Sequence, residues 1–143
     1  PFDENNIGDY VGACYPAFEL IDDRRADYGK LDAISMLSHN IWCGGVVLGP
    51  EITDWQDFDL SSNPVHLTYN SERIQEGNTG AAMGSPMISL AWLANLAASR
   101  GWPMREGMIV ISGSTFATIP PKPGDHVVYT IEGMGDVEVR ITA

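Results

Sequence analysis

Val127-Val128-Tyr129-Thr130-Ile131-Glu132-Gly133-Met134-Gly135-Asp136-Val137-Glu138-Val139-Arg140-Ile141 is the stretch that decides the fold class. Two runs rich in β-branched residues flank Gly133-Met134-Gly135, the pattern of a β-hairpin closed at glycines. The signal repeats upstream. Met108-Ile109-Val110-Ile111 reads as a buried strand running into Ser112-Gly113-Ser114-Thr115, and Pro120-Pro121-Lys122-Pro123-Gly124-Asp125 as a rigid connection. Val65-His66-Leu67-Thr68-Tyr69 alternates at period two, Asn70-Ser71 turns, and Arg73 to Gly77 returns as a second arm. Val46-Val47-Leu48 reads as a short buried strand closed by Gly49-Pro50. In the apolar run Ala13 to Ile21, Pro16 cannot donate to a ladder, so the strand lies at an edge or starts after it.

One segment stands apart as a helix. Ser85 suits the N-cap, Pro86 the first helical position and Gly101 the left-handed position beyond the end. Apolar residues cover nearly every side of it, which predicts burial in a domain or an interface. Asp32 is expected to cap a short helix through Leu37, and the polar, acidic first ten residues read as a loose arm. The expectation is α+β, mainly β: a mixed β-sandwich roll with one long buried helix, residues 1–143 forming a single domain.

Composition excludes several functions. The 143 residues carry a net charge of −11, with 44% hydrophobic and 19% charged side chains, a globular balance. Such acidity argues against nucleic acid and against anionic membrane surfaces. Residues 1–60 hold twelve acidic and three basic side chains, so the excess sits in the first part. No apolar run approaches the roughly 18 residues of a membrane span. Only Cys14 and Cys43 are present, which suggests reduced thiols and a cytoplasmic location. The chain opens on Pro1 without an initiator methionine, so it is expected to be processed or one piece of a longer polypeptide.

Few residues stand out as chemistry. Glu19 ends an otherwise apolar strand, and a carboxylate there needs a metal, a base or an arginine; Arg24 and Arg25 offer the plainer ion-pair reading. The Ser112-Gly113-Ser114-Thr115 turn, directly after an apolar strand, offers hydroxyls and backbone N–H groups to an oxyanion, or is an ordinary polar turn. His39 and Cys43 match neither a zinc motif nor a nucleophile signature, and Gly77-Asn78-Thr79-Gly80 lacks the lysine of a phosphate loop. Pro1 leads into a polar stretch rather than a strand, which argues against an N-terminal proline base.

Taken in order, the segments resemble a family. Pro16-Ala17-Phe18-Glu19-Leu20-Ile21-Asp22-Asp23-Arg24 is similar to the P-A-x-E-x-x-D-S-R segment of the 2-oxopent-4-enoate hydratase and 2-oxo-3-hexenedioate decarboxylase family, within the fumarylacetoacetate hydrolase superfamily. Asn40 to Gly49, Gly77 to Pro86, Ala91-Trp92-Leu93-Ala94-Asn95, Glu106 to Ser114 and Gly133 to Val137 resemble its later segments, in the same order. The resemblance implies the C-terminal fold of that superfamily and a Mg2+- or Mn2+-dependent lyase acting on a small 2-oxo acid through an enolate. It implies Glu19 as a metal ligand, Ser112, Gly113, Ser114 and Thr115 as holders of the substrate carboxylate, and Arg24 and Asn40 as supports behind them. A hydratase is expected, with a decarboxylase or a non-catalytic subunit of the same fold as alternatives. An oligomer is also expected.

The chain departs from the family pattern in three places. His39 stands where an aspartate usually precedes Asn40, and Asn78-Thr79-Gly80 spaces its glycines differently. The Glu-x-Glu strand with two further metal ligands, and a lysine upstream, have no counterpart here. The resemblance therefore implies a partner: an N-terminal fragment or a second chain carrying those ligands.

Overall fold

Strand boundaries follow the turn chemistry. The computed structural model describes residues 1–142. Pro16, fully buried, precedes β1 (Ala17–Ile21), which pairs antiparallel with β2 (Cys43–Leu48) as a two-stranded sheet. Glu19 faces Val46 across that ladder and Ala17 faces Leu48. A Cys14–Ile52 bridge extends the same pairing. Between the two strands the chain makes an excursion that includes α1 (Ala33–Ser38). Asp32 caps it as expected, accepting from the Ser35 N–H while Ser35 Oγ accepts from the Asp32 N–H.

The larger sheet has the order β4-β3-β5-β6, all antiparallel, from β3 (Pro64–Tyr69), β4 (Glu72–Asn78), β5 (His126–Ile131) and β6 (Gly135–Arg140). Asn70 and Ser71 close the β3–β4 hairpin, both at positive φ, which is the two-residue turn that matches strand twist. Alternation buries Val65, Leu67, Val127, Tyr129, Ile131 and Val137 on one face. Phe18 and Val47 of the small sheet pack against that face, so the core lies between the two sheets. This is the mainly β, two-sheet arrangement the sequence predicts.

α2 (Pro86–Ser99) starts and stops as its sequence requires. Ser85 Oγ accepts from the Met87 N–H at 3.2 Å. Beyond the end, Gly101 N–H meets the Ala98 carbonyl and Trp102 N–H the Ala97 carbonyl, a Schellman closure with Gly101 at φ +79°.

Four expectations change. Within this chain the helix is not buried all round: Ala91 and Ala94 are enclosed with Ile7, while Trp92 is 58% exposed, so the domain alone does not bury it. The first ten residues are not loose, because Asn95 accepts from the Phe2 N–H at 2.8 Å and donates to the Phe2 carbonyl at 2.7 Å. Residues 46–48 are not a buried strand, since alternation leaves Val46 and Leu48 open on the outer face. Met108 to Ile111 form no strand, because no neighbouring edge pairs with them; Ile109 is 62% exposed.

Candidate active site

Alternation along β1 turns Phe18 inward to the core and Glu19 to the opposite face, beside Val46. The carboxylate is exposed, and among the described residues neither a salt bridge nor a hydrogen bond meets it. The ion pair with Arg24 or Arg25 therefore does not form. Arg24 is exposed at φ 52°, its N–H donating to Asp22 Oδ1 at 3.1 Å. Asn40, also exposed and at positive φ, follows α1. Neither lines the cavity described next.

That cavity, of about 1450 Å³, brings Glu19 and the Ser112–Thr115 turn onto one wall system, with Tyr129 between the sheets. The turn is shaped by Gly113, at φ +124°, where a Cβ would stand 2.7 Å from the Ala82 Cβ. Any side chain there would collide with the loop before α2 and strain the backbone. Ser114 Oγ donates to the Phe116 carbonyl at 2.6 Å, which commits its proton within the turn. From Ile109 to Ile119, no backbone N–H donates a hydrogen bond among the described residues. Those amides are the turn's uncommitted donors.

Tyr129 is the residue that sequence reading passed over. Its ring lies edge-on to Phe116 at 5.9 Å and tilted against Phe18 at 6.2 Å, and Thr115 Oγ1 donates to its hydroxyl at 3.2 Å. It thus touches the neighbour of Glu19 on one side and the turn on the other. Burial holds its phenol above the usual range, an effect partly opposed by the Thr115 hydrogen bond. In sequence it is one inward residue of an alternating strand, and only the Thr115 contact marks it. Another cavity residue, Cys14, is no nucleophile: burial pushes its thiol up to about 11.

A divalent cation takes six or more oxygens, usually several from carboxylates. No group of three or more His, Cys, Asp or Glu is gathered among the described residues. The described residues therefore gather no complete ligand set of that kind.

Comparison with known proteins places these features. The model of the fumarylacetoacetate (FAA) hydrolase C-terminal family matches residues 8–142. The chain is 32% identical to a 2-hydroxyhexa-2,4-dienoate hydratase of Comamonas testosteroni, over 89% of itself and 48% of that protein. It is 32% identical to a 4-oxalocrotonate decarboxylase of Pseudomonas putida, over 94% of itself and 52% of that protein. A solved 4-oxalocrotonate decarboxylase from Pseudomonas putida G7, complexed with magnesium and adipate, superposes with a TM-score of 0.85 at 29% identity, covering 97% of this chain and 52% of that one. The same protein is also known complexed with calcium and acetate. The chain spans about half the length of the relatives it matches. With nearly its whole length matched by the family model and its two sheets superposing on a solved relative, the chain belongs to the FAA hydrolase C-terminal family.

Proposed function

We propose that this chain is one domain, the C-terminal part of a divalent-metal-dependent lyase that acts on a small 2-oxo acid through an enolate, most simply as a hydratase of the 2-oxopent-4-enoate type. The observation that carries the reading is the pairing, in one cavity, of an unpartnered carboxylate at Glu19 with a donor-rich turn at Ser112–Thr115. Relatives named hydratases and decarboxylases, one of them complexed with magnesium, support it. A bound Mg2+ or Mn2+ would supply positive charge to the oxygens on which the enolate develops.

Glu19 would hold one side of that cation with a full negative charge. The free amides of Ser112, Gly113, Ser114 and Thr115 would hold the substrate carboxylate and so fix the orientation of the reacting carbons. Asn40 and Arg24, away from the cavity, would act through the excursion that joins β1 to β2. The remaining ligands must come from another segment or chain. The cavity supports this, because its volume exceeds the roughly 300–1,000 Å³ of small-molecule pockets and leaves room for polypeptide as well as ligand. Oligomerisation and a cytoplasmic location belong to this same reading.

A decarboxylase of the 2-oxo-3-hexenedioate type is the second reading, favoured by the 0.85 TM-score to a decarboxylase. The test assays the assembled protein with Mg2+ on 2-oxopent-4-enoate and on 2-oxo-3-hexenedioate, following loss of conjugated absorbance and release of carbon dioxide. Hydration of the first is expected. Carbon dioxide from the second would replace hydratase by decarboxylase, and turnover of neither would overturn the lyase.

A further inference from the structure

The Thr115–Tyr129 pair leaves one proton unspent. Two hydroxyls carry two donors; Thr115 Oγ1 gives its own to Tyr129, and among the described residues nothing accepts the Tyr129 proton. A buried tyrosine ordinarily finds a partner for its O–H, and Tyr129 is only 8% exposed. Phe18 and Phe116 flank the ring and hold it in place, so the hydroxyl cannot swing away to solvent. Tyr129 is one of the residues lining the cavity shared by Glu19 and the Ser112–Thr115 turn.

What surrounds it selects the class of acceptor. The adjoining turn contributes uncommitted N–H groups, while Ser114 has already given its proton to the Phe116 carbonyl. Beside Tyr129 the turn's own contribution is neutral donors, and such a cluster suits a carboxylate held by neutral hydrogen bonds. Burial also keeps the phenol protonated through neutral pH and beyond, so it acts as a donor and not as a charge. We infer that Tyr129 is a ligand-binding residue, its phenol O–H donating to the carboxylate of the bound 2-oxo acid beside the Ser112–Thr115 turn. The inference rests on the 2-oxo acid reading given above and adds a residue to it.

The experiment is calorimetric titration of the assembled, Mg2+-loaded protein with 2-oxopentanoate, for the parent, Tyr129→Phe and Thr115→Val. Phenylalanine keeps the ring between Phe18 and Phe116 and removes only the hydroxyl. Affinity is expected to fall about tenfold or more in Tyr129→Phe, the worth of a hydrogen bond to a charged group. KM should rise more than kcat falls, because ground and transition states share the contact. Thr115→Val should weaken binding less, and should add nothing once Tyr129 is phenylalanine. A tyrosine difference absorbance on binding, lost in Tyr129→Phe, gives a readout that mere packing would not move. Equal affinity of Tyr129→Phe and parent overturns the inference, even if lyase turnover is present. Tyr129-dependent binding without turnover upholds it and overturns the lyase instead. A parent that does not bind 2-oxopentanoate overturns both.

Discussion

Glu19 is legible from sequence as an anomaly, because a lone carboxylate inside Ala17-Phe18-Glu19-Leu20-Ile21 needs a reason. Its lack of a partner is visible only in three dimensions, since the spacing to Arg24 allows an ion pair that the backbone at Arg24 and Arg25 does not deliver. Glu19→Gln in the assembled protein should therefore lower Mg2+ affinity and turnover together, as an amide brings no charge to the cation. Calorimetry with Mg2+ alone checks this, and unchanged affinity would remove Glu19 from the metal site. Ser114 tells a different story. Its proton already closes the turn onto Phe116, so Ser114→Ala should loosen the amide-bearing loop and raise KM more than it lowers kcat. The expected rise is up to about tenfold, and steady-state kinetics within twofold of the parent would show that the turn keeps its shape without this hydroxyl.

Elements with local signals are the ones sequence reads well. The β5–β6 hairpin, the Asn70-Ser71 turn, the Asp32 cap and both ends of α2 were each written in neighbouring residues, and each formed where its chemistry required. Met108–Ile111 was not legible in this way, because a strand needs an edge and no residue in the segment says whether one exists. The clamp of Asn95 on Phe2 joins residues far apart in sequence, which local pattern cannot see. A comparable long-range clasp ties the end of β3 to the start of β5. Asp125 accepts from Asn70 Nδ2 at 2.8 Å, from the Tyr69 hydroxyl and from the Lys122 N–H at 2.6 Å. Asn70 first, then Tyr69 and Lys122, hold the Asp125 carboxyl below the usual range, while the same contact holds the Tyr69 phenol above its own. Asp125 thus contributes stability above the ordinary carboxylate value of about 4, lost as pH falls through its lower folded value. Tyr69 contributes stability below about pH 10, lost as pH rises through its raised one. Asp125→Asn should flatten both edges of a plot of urea midpoint against pH. A plot of parental shape would show that the clasp contributes nothing.

At the scale of the molecule, packing and candidate chemistry differ. The two sheets enclose a common core, yet among the described residues no three His, Cys, Asp or Glu side chains gather where a divalent cation needs several ligands. What no reading of these residues could show is the chemistry that residues outside them would supply in the proposed lyase. The missing Glu-x-Glu pattern was visible in the sequence only as an absence against the family resemblance. The acidic bias of residues 1–60 suits a complement that brings a cation and basic side chains. Active material should therefore contain more polypeptide than this chain, either joined to it or co-purifying with it, by denaturing gel and mass measurement. The 143 residues refolded alone should bind Mg2+ weakly and turn over no 2-oxo acid. A refolded, monodisperse chain that does both would end the partner idea.

The unpaired stretch from Ile109 to Ile119 carries a built-in clock. Amides without acceptors surrender their protons to deuterated water at close to the rate of an unfolded peptide, whereas laddered amides wait for an opening. In the isolated chain, peptides from this stretch should be fully labelled within seconds while those from β3 and β5 lag by orders of magnitude. If the proposed complement is added, the same amides should slow. Deuterium uptake would then time the completion of the enzyme without any substrate, and unchanged labelling would place the complement elsewhere on the surface.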